Sequence, residues 1–269
     1  MTVEKTLNYK DKKIFYQITG EGPSVVLLHG VPADGSLWQN LTSSTPRFQF
    51  IVPDLPGSGQ SEMIGDMSIV GMAEAIKAIL DKEKASVVSM IGHSMGGYIS
   101  LAFAKKYSAY LDGLGLFHST AYADTEERKE TREKAIEFIT QNGAYEFLKT
   151  SIPNLFSPAH KEKNAGKINE MIRKAASFSS PALIAYYKAM MQRPDRSQIL
   201  KDSEIPVLFI AGRYDTAIPL NSLLEQCHLP AQSYFHILHE SGHMGMIEEI
   251  EKSNSIVRNY LINQVRTSS

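Results

Sequence analysis

The feature that most constrains this chain is a short glycine-rich turn set between two different periodicities. Gly92-His93-Ser94-Met95-Gly96-Gly97 follows the apolar run Val87-Val88-Ser89-Met90-Ile91 and precedes a helical period that begins near Tyr98. Strand, sharp turn and helix in that order place the serine on a strained corner with its hydroxyl exposed, and the flanking glycines let the strand and helix backbones approach. The helix then aims its N-terminal amides at the space beside the serine, where an oxyanion could develop. A phosphate-binding loop also uses a helix N-terminus, but it needs a Gly-Lys-Ser or Gly-Lys-Thr, which does not follow here. The second glycine-rich segment, Asp54-Leu55-Pro56-Gly57-Ser58-Gly59, lacks that lysine as well and reads as a structural turn in which Asp54 accepts from nearby backbone amides.

Around this turn the chain alternates between two textures. Unbroken apolar runs at 24–28, 50–52, 86–91 and 207–210, with weaker ones at 114–117 and 234–238, have the pattern of strands buried on both faces of a parallel sheet. Apolar residues spaced by three and four at 69–80, 98–107 and 247–262 read as helices. Strand alternating with helix predicts an α/β fold, a mostly parallel sheet covered by helices on both faces. Residues 5–22 add two short strands joined by a turn around Asp11. The alternation fails at 119–196, where helix-forming stretches at 124–141, 144–149, 160–177 and 181–192 follow one another. Ser180-Pro181 reads as a helix cap and first helical residue, and Gly143 as a stop. The expected organisation is a core of 1–118 and 197–269 interrupted by an all-helical cap at 119–196, packed on the core because no long linker separates them.

Composition narrows the partners. With 28 Lys and Arg against 29 Asp and Glu, the formal charge of -1 gives no overall field that would draw the chain to nucleic acid or an anionic membrane. The first residues lack an apolar leader, and no window approaches the roughly 20 apolar residues that span a bilayer, so a soluble, cytoplasmic protein is expected. The single cysteine, Cys227, can neither close an internal disulfide nor build a metal site alone, and reads as a partly buried small residue. The expected partner is a small-molecule substrate, with no metal or cofactor required.

A serine hydroxyl needs a base to take its proton, and imidazole has an unperturbed pKa near working pH. Of the 8 histidines, His243 lies in Glu240-Ser241-Gly242-His243-Met244, on a loop that leaves the last strand-like run. Catalytic groups of open α/β sheets gather at that carboxyl edge. His236 falls inside the run, His239 at its exit, and His160 and His228 in helical segments. The carboxylate that orients the base is assigned to Asp215, which follows the run at 207–210 through Ala211-Gly212-Arg213-Tyr214; Asp124, beyond 114–117, is the rival. His29-Gly30-Val31-Pro32 leaves a third strand, so the Val31 and Met95 amides are expected to form the oxyanion hole. His29 is read as bracing that loop.

These segments together resemble the α/β-hydrolase superfamily: His29-Gly30-Val31-Pro32, Asp54 to Gly59, the Ser94 elbow, Gly212-Arg213-Tyr214-Asp215 and Gly242-His243 occur in the family's order across nearly the whole chain. The order Ser, Asp, His is that expected for this fold. The resemblance implies a serine hydrolase cleaving a small carboxylic ester through an acyl-enzyme, with 119–196 as the family's helical cap over the pocket. Dehalogenases and epoxide hydrolases of the superfamily carry Asp at the elbow, so Ser94 argues against both. Carbon-carbon bond hydrolases, cofactor-free perhydrolases and haloperoxidases, and receptor-like members that bind with little turnover stay open. Phe138, Phe147, Leu155, Phe156, Phe178, Tyr186, Tyr187, Met190 and Met191 could line an apolar pocket or form the cap's own core.

Overall fold

The computed structural model describes residues 2–263. The chain opens with a hairpin, β1 (Thr2–Tyr9) and β2 (Lys12–Thr19), whose two turn residues Lys10 and Asp11 have φ of 50° and 62°. Two consecutive left-handed residues match the right-handed twist of the strands, and Asn8 Oδ1 accepts from the Asp11 amide at 3.0 Å. The unbroken apolar runs then become β3 (Ser24–Leu28), β4 (Gln49–Pro53) and β5 (Val88–His93), separated by the short α1 (Gln39–Ser44) and by α2 (Ile69–Glu83); α3 (Met95–Tyr107) leaves the Ser94 turn and leads to β6 (Leu111–Phe117).

Five helices follow without a strand: α4 (Glu126–Asn142), α5 (Ala144–Ser151), α6 (Pro158–Lys163), α7 (Ala165–Lys174) and α8 (Ser180–Gln192). Their ends correct three expectations. The stretch 160–177 is two helices divided at Asn164. Helix α8 is capped by Ser179, whose side chain accepts from the Ala182 amide, while Ser180 Oγ accepts from the Ala144 amide at 2.9 Å and ties α8 to α5. Helix α4 is capped by Thr125, so Asp124 stands just outside it. Gly143 ends α4 with φ of 88°.

The core resumes with α9 (Ser197–Lys201), β7 (Val207–Gly212), α10 (Leu220–Leu224), β8 (Ser233–Leu238), α11 (Gly245–Glu248) and α12 (Ile250–Asn263), the expected last helix being broken at Glu249. His228 lies in the turn after α10 and not in a helix. The sheet has 8 strands in the order β1-β2-β4-β3-β5-β6-β7-β8, parallel from β4 to β8 and antiparallel at the β1 and β2 end. Alternate residues of each parallel strand feed opposite faces. Val26, Leu28, Ile51 and Met90 pack with α2 and α3, whereas Val25, Leu27, Phe50 and Ile91 pack with Trp38 and the apolar face of α12. Burying strands on both faces fixes the register, and with it the loops at the carboxyl edge. Among the described residues no helix is long and apolar enough to cross a membrane.

Candidate active site

Every residue assigned to the chemistry sits where a strand stops. Ser94 follows β5 directly, with φ 52° and ψ -117°, a conformation that non-glycine residues avoid at a cost of about 1–3 kcal/mol. Its neighbours hold it there. The Ser94 amide donates to Phe117 O at 3.0 Å, and the Ser94 carbonyl accepts from Ser119 Oγ at 2.7 Å and from the Gly97 amide at 2.9 Å. A Cβ on Gly30 would stand 2.8 Å from Ser94 Cβ and 2.8 Å from His93 Nδ1, so only glycine lets the loop after β3 lie against the serine.

The His243 ring Nδ1 lies 2.8 Å from Asp215 Oδ2, and both side chains are buried. Asp215 follows β7, and its Oδ1 accepts from the Ala217 and Ile218 amides at 2.9 and 2.8 Å. Burial pushes this carboxyl up, but His243 and His118 beside it more than offset that and hold it well below the usual carboxylate range. With Oδ1 taken by amides and Oδ2 facing the imidazole, His243 keeps its proton on Nδ1, which leaves Nε2 as the acceptor. The Ser94 hydroxyl, on a half-buried residue, makes no hydrogen bond with any described residue, as is common before substrate tightens a site.

Two buried histidines that sequence reasoning did not single out complete the cluster. His93, the residue between Gly92 and Ser94, donates from Nε2 to the His243 carbonyl at 2.9 Å, so the elbow holds the His243 loop. His118 comes directly after β6 with φ 48°; its Nε2 accepts from the Gly245 amide at 3.2 Å, which leaves the ring proton on Nδ1, 3.1 Å from Asp215 Oδ2 but off the hydrogen-bond line. Burial depresses both rings below the ordinary histidine range, and for His93 the neighbouring His243 and His118 add to it. The rule that located His243 and Asp215, a polar residue just past a strand, also marks His118.

His118, Asp215 and His243 place ligand-type atoms within 4.8 Å of one another. His243 Nδ1 is hydrogen-bonded to the carboxylate, and the protonated Nδ1 of His118 stands 3.1 Å from it, so the nitrogens that face Asp215 are not free lone pairs. Asp124 is far from this chemistry in kind: it pairs with Arg132, Arg193 and Arg128, and not with His243.

The loop after β3 is braced as expected. His29 Nε2 accepts from the Leu55 amide at 2.9 Å, which puts its proton on Nδ1, 2.8 Å from Gly30 O. Asp54 accepts from the Gly35 and Gln60 amides, both at 2.8 Å. No described residue accepts from the Val31 amide, and Met95 opens α3, where the first amides have no partner within the helix. The helical insert reaches the His243 loop as well. Leu155 O accepts from the His243 amide at 2.7 Å, and Glu248 accepts from Gly242 at 2.9 Å and from Ser157 at 2.8 Å, clasping the histidine loop to the insert. Of the aromatic residues expected in the insert, Phe156 and Phe178 line a cavity of about 320 Å³ beside Pro32 and Ala33, whereas Phe138, Phe147 and Tyr187 line a separate cleft. Tyr186 is fully buried, its hydroxyl donating to Pro56 O at 2.6 Å.

Residues 23–250 match the family described as alpha/beta hydrolase fold. A 2-hydroxy-6-oxononadienedioate/2-hydroxy-6-oxononatrienedioate hydrolase of Paraburkholderia phymatum is 27% identical over 266 residues, 93% of this chain and 91% of that protein. The 3-oxoadipate enol-lactonase 1 of Acinetobacter baylyi is 25% identical over 250 residues, 91% of each. Among solved structures, a thermophilic esterase from Thermogutta terrifontis, malate bound, is 27% identical with a TM-score of 0.90, covering 99% of this chain and 100% of that one.

Proposed function

This chain belongs to the alpha/beta hydrolase fold family, and from that premise we propose that it cleaves small carboxylic esters through an acyl-enzyme on Ser94. The observation that carries this reading is the buried 2.8 Å contact between His243 Nδ1 and Asp215 Oδ2 at the sheet edge where Ser94 is held at positive φ. His243 Nε2 takes the hydroxyl proton as Ser94 Oγ attacks the ester carbonyl, and the amides of Val31 and Met95 bind the oxyanion. Collapse breaks the bond to the alkoxy group, which leaves with the proton from His243. A water, deprotonated by the same imidazole, then attacks the acyl-serine, and the acid departs as Ser94 regains its proton. Asp215 stays ionised throughout. His118 serves as a positioning residue that acts through Asp215, and the insert at 119–196 forms the roof of the pocket over the core at 1–118 and 197–269.

A panel of short aryl esters tests the reading directly. Wild type turns them over with a burst of alcohol, and Ser94→Ala lowers kcat by about 10⁶ while leaving the melting curve in place. Unchanged turnover in Ser94→Ala removes the serine from the mechanism. The Paraburkholderia relative gives one further reading a specific basis, a carbon-carbon bond hydrolase on the same residues. A conjugated vinylogous diketone acid cleaved faster than every ester in the panel selects it.

A further inference from the structure

The insert contains an electrostatic imbalance that the chemistry at Ser94 does not use. The Asp124 side chain has no exposed surface, and Arg128, Arg132 and Arg193 bring nitrogens to 3.5, 2.6 and 3.0 Å of its oxygens. One carboxylate thus faces three cations that stay charged in proteins. Two of the three are turned to other acceptors. Arg193 donates to Met190 O and Tyr122 O, lies 3.8 Å over the Tyr98 ring, and keeps a buried Nε with no partner among the described residues. Arg128 donates to Ala217 O.

Arg132 differs. It gives Nε to Asp124 Oδ2, and its terminal nitrogens donate to no described residue although the side chain is only 13% exposed. The guanidinium carbon sits 5.5 Å from the Tyr187 ring centre. Arg132 lines a cleft of about 550 Å³ together with Arg128, Lys134, Phe147, Tyr187 and Thr216, and no described carboxylate stands in that wall. Lys134 forms no ion pair with a described residue. With Nε paired to Asp124, the terminal nitrogens of Arg132 stay free to donate into the cleft, and the planar fork of arginine matches a carboxylate in two parallel hydrogen bonds.

We propose that this cleft binds an organic carboxylate with an apolar or aromatic body, the carboxylate on the terminal nitrogens of Arg132, Lys134 at the mouth and the body against Phe147 and Tyr187. Two sources have this chemistry. One is the far end of an acidic ester whose other end is cleaved, which rests on the ester-hydrolase reading; Thr216 in the wall is the residue that follows Asp215 in the chain. The other is a free acid that binds without being turned over.

Calorimetric titration with 3-phenylpropanoate and its neutral amide, on wild type and on Ser94→Ala, tests the site independently of turnover. The acid binds and the amide does not, and Arg132→Gln weakens the acid about tenfold or more, the loss of a charge-assisted hydrogen bond. Equal binding of acid and amide, or acid binding unchanged in both Arg132→Gln and Lys134→Glu, overturns the proposal. Lys134 is exposed, so its reversal keeps the test open should Arg132→Gln fail to fold. The source is read from 4-nitrophenyl hemiglutarate against 4-nitrophenyl valerate, esters matched in length. A kcat/KM preference for the hemiglutarate that collapses in Arg132→Gln assigns the substrate's tail, and equal rates with acid binding intact assign a free acid. Failure to cleave either ester sinks the ester-hydrolase reading and leaves the titration to decide the site.

Discussion

Asp215 and Asp124 are both buried carboxylates on loops that leave neighbouring strands, and both are held below the ordinary carboxylate range against the upward push of burial. What offsets burial differs. Around Asp215 stand two backbone amides and two imidazoles, groups that hold a negative charge while letting a proton move next to it. Around Asp124 stand three guanidinium groups, which fix charge and donate but never accept a proton. A buried carboxylate can therefore serve either a reaction or an architecture, and the partners decide which. Under the proposed function the sheet edge around Asp215 is the reactive case; the base of the insert around Asp124 is the one that pins helix α4 to the end of α8.

The sharpest way to break this contrast is to neutralise each acid in turn. Asp215→Asn lowers kcat by about 10⁴, because an amide in that place disturbs the proton position on His243. Its melting temperature changes little, since an amide oxygen still accepts from Ala217 and Ile218. An equal rate for Asp215→Asn and wild type transfers the role to another acid. The converse holds for Asp124→Asn. Removing the one anion among three guanidinium groups destabilises by about 3–5 kcal/mol, read as a lower denaturant midpoint, with kcat in the surviving folded fraction within a few-fold of wild type. A rate collapse at unchanged stability would erase the distinction.

Much of this contrast is legible in the sequence. Ser94 and Asp215 stand out because each follows a strong apolar run, and His243 because it lies past the weaker run at 234–238 and ahead of a helical period; the fold class follows from those same runs. Asp124 looked like a second candidate acid because it too lies beyond a strand; nothing local in its sequence tells that Arg193, far along the chain, will meet it. His93 was hidden in the variable position of the elbow, where its side chain turns toward a loop that only the folded sheet brings near. His118 was missed because its strand, Leu111–Phe117, contains Asp112, Gly113 and Gly115 and reads weakly. Tertiary packing decided all three. The helical texture of the insert is plain in the sequence, but the break at Asn164 has no local marker as strong as proline, and the cap falls to Ser179 because Ser180 accepts from Ala144.

The smallest effect separates the two regions by their response to acid. His93 and His118, both at the sheet edge, have folded pKa values depressed below the unfolded value of about 6.5 by burial. At pH below that value the unfolded chain binds protons that the folded chain refuses. Their stabilising contribution is thus fully present above about pH 6.5 and is lost as pH falls, each histidine contributing a slope of at most about 1.4 kcal/mol per pH unit. Asp124 and Asp215 act in a lower window. Their depressed carboxyls contribute stability above the unfolded carboxylate value of about 4, and that contribution is lost only on further acidification. Urea midpoints measured from pH 7.5 to pH 5 should therefore decline in wild type and decline less steeply in His118→Asn, which has one fewer buried imidazole to protonate. The variant starts lower, by about 1–3 kcal/mol, because asparagine is too short to reach the Gly245 amide that His118 satisfies at 3.2 Å. It keeps an N–H near Asp215 in place of Nδ1, so kcat above pH 7 falls less than in His118→Leu. Parallel midpoint curves for wild type and His118→Asn would show that acid sensitivity in this range arises elsewhere, and equal kcat in the asparagine and leucine variants would remove His118 from the support of Asp215.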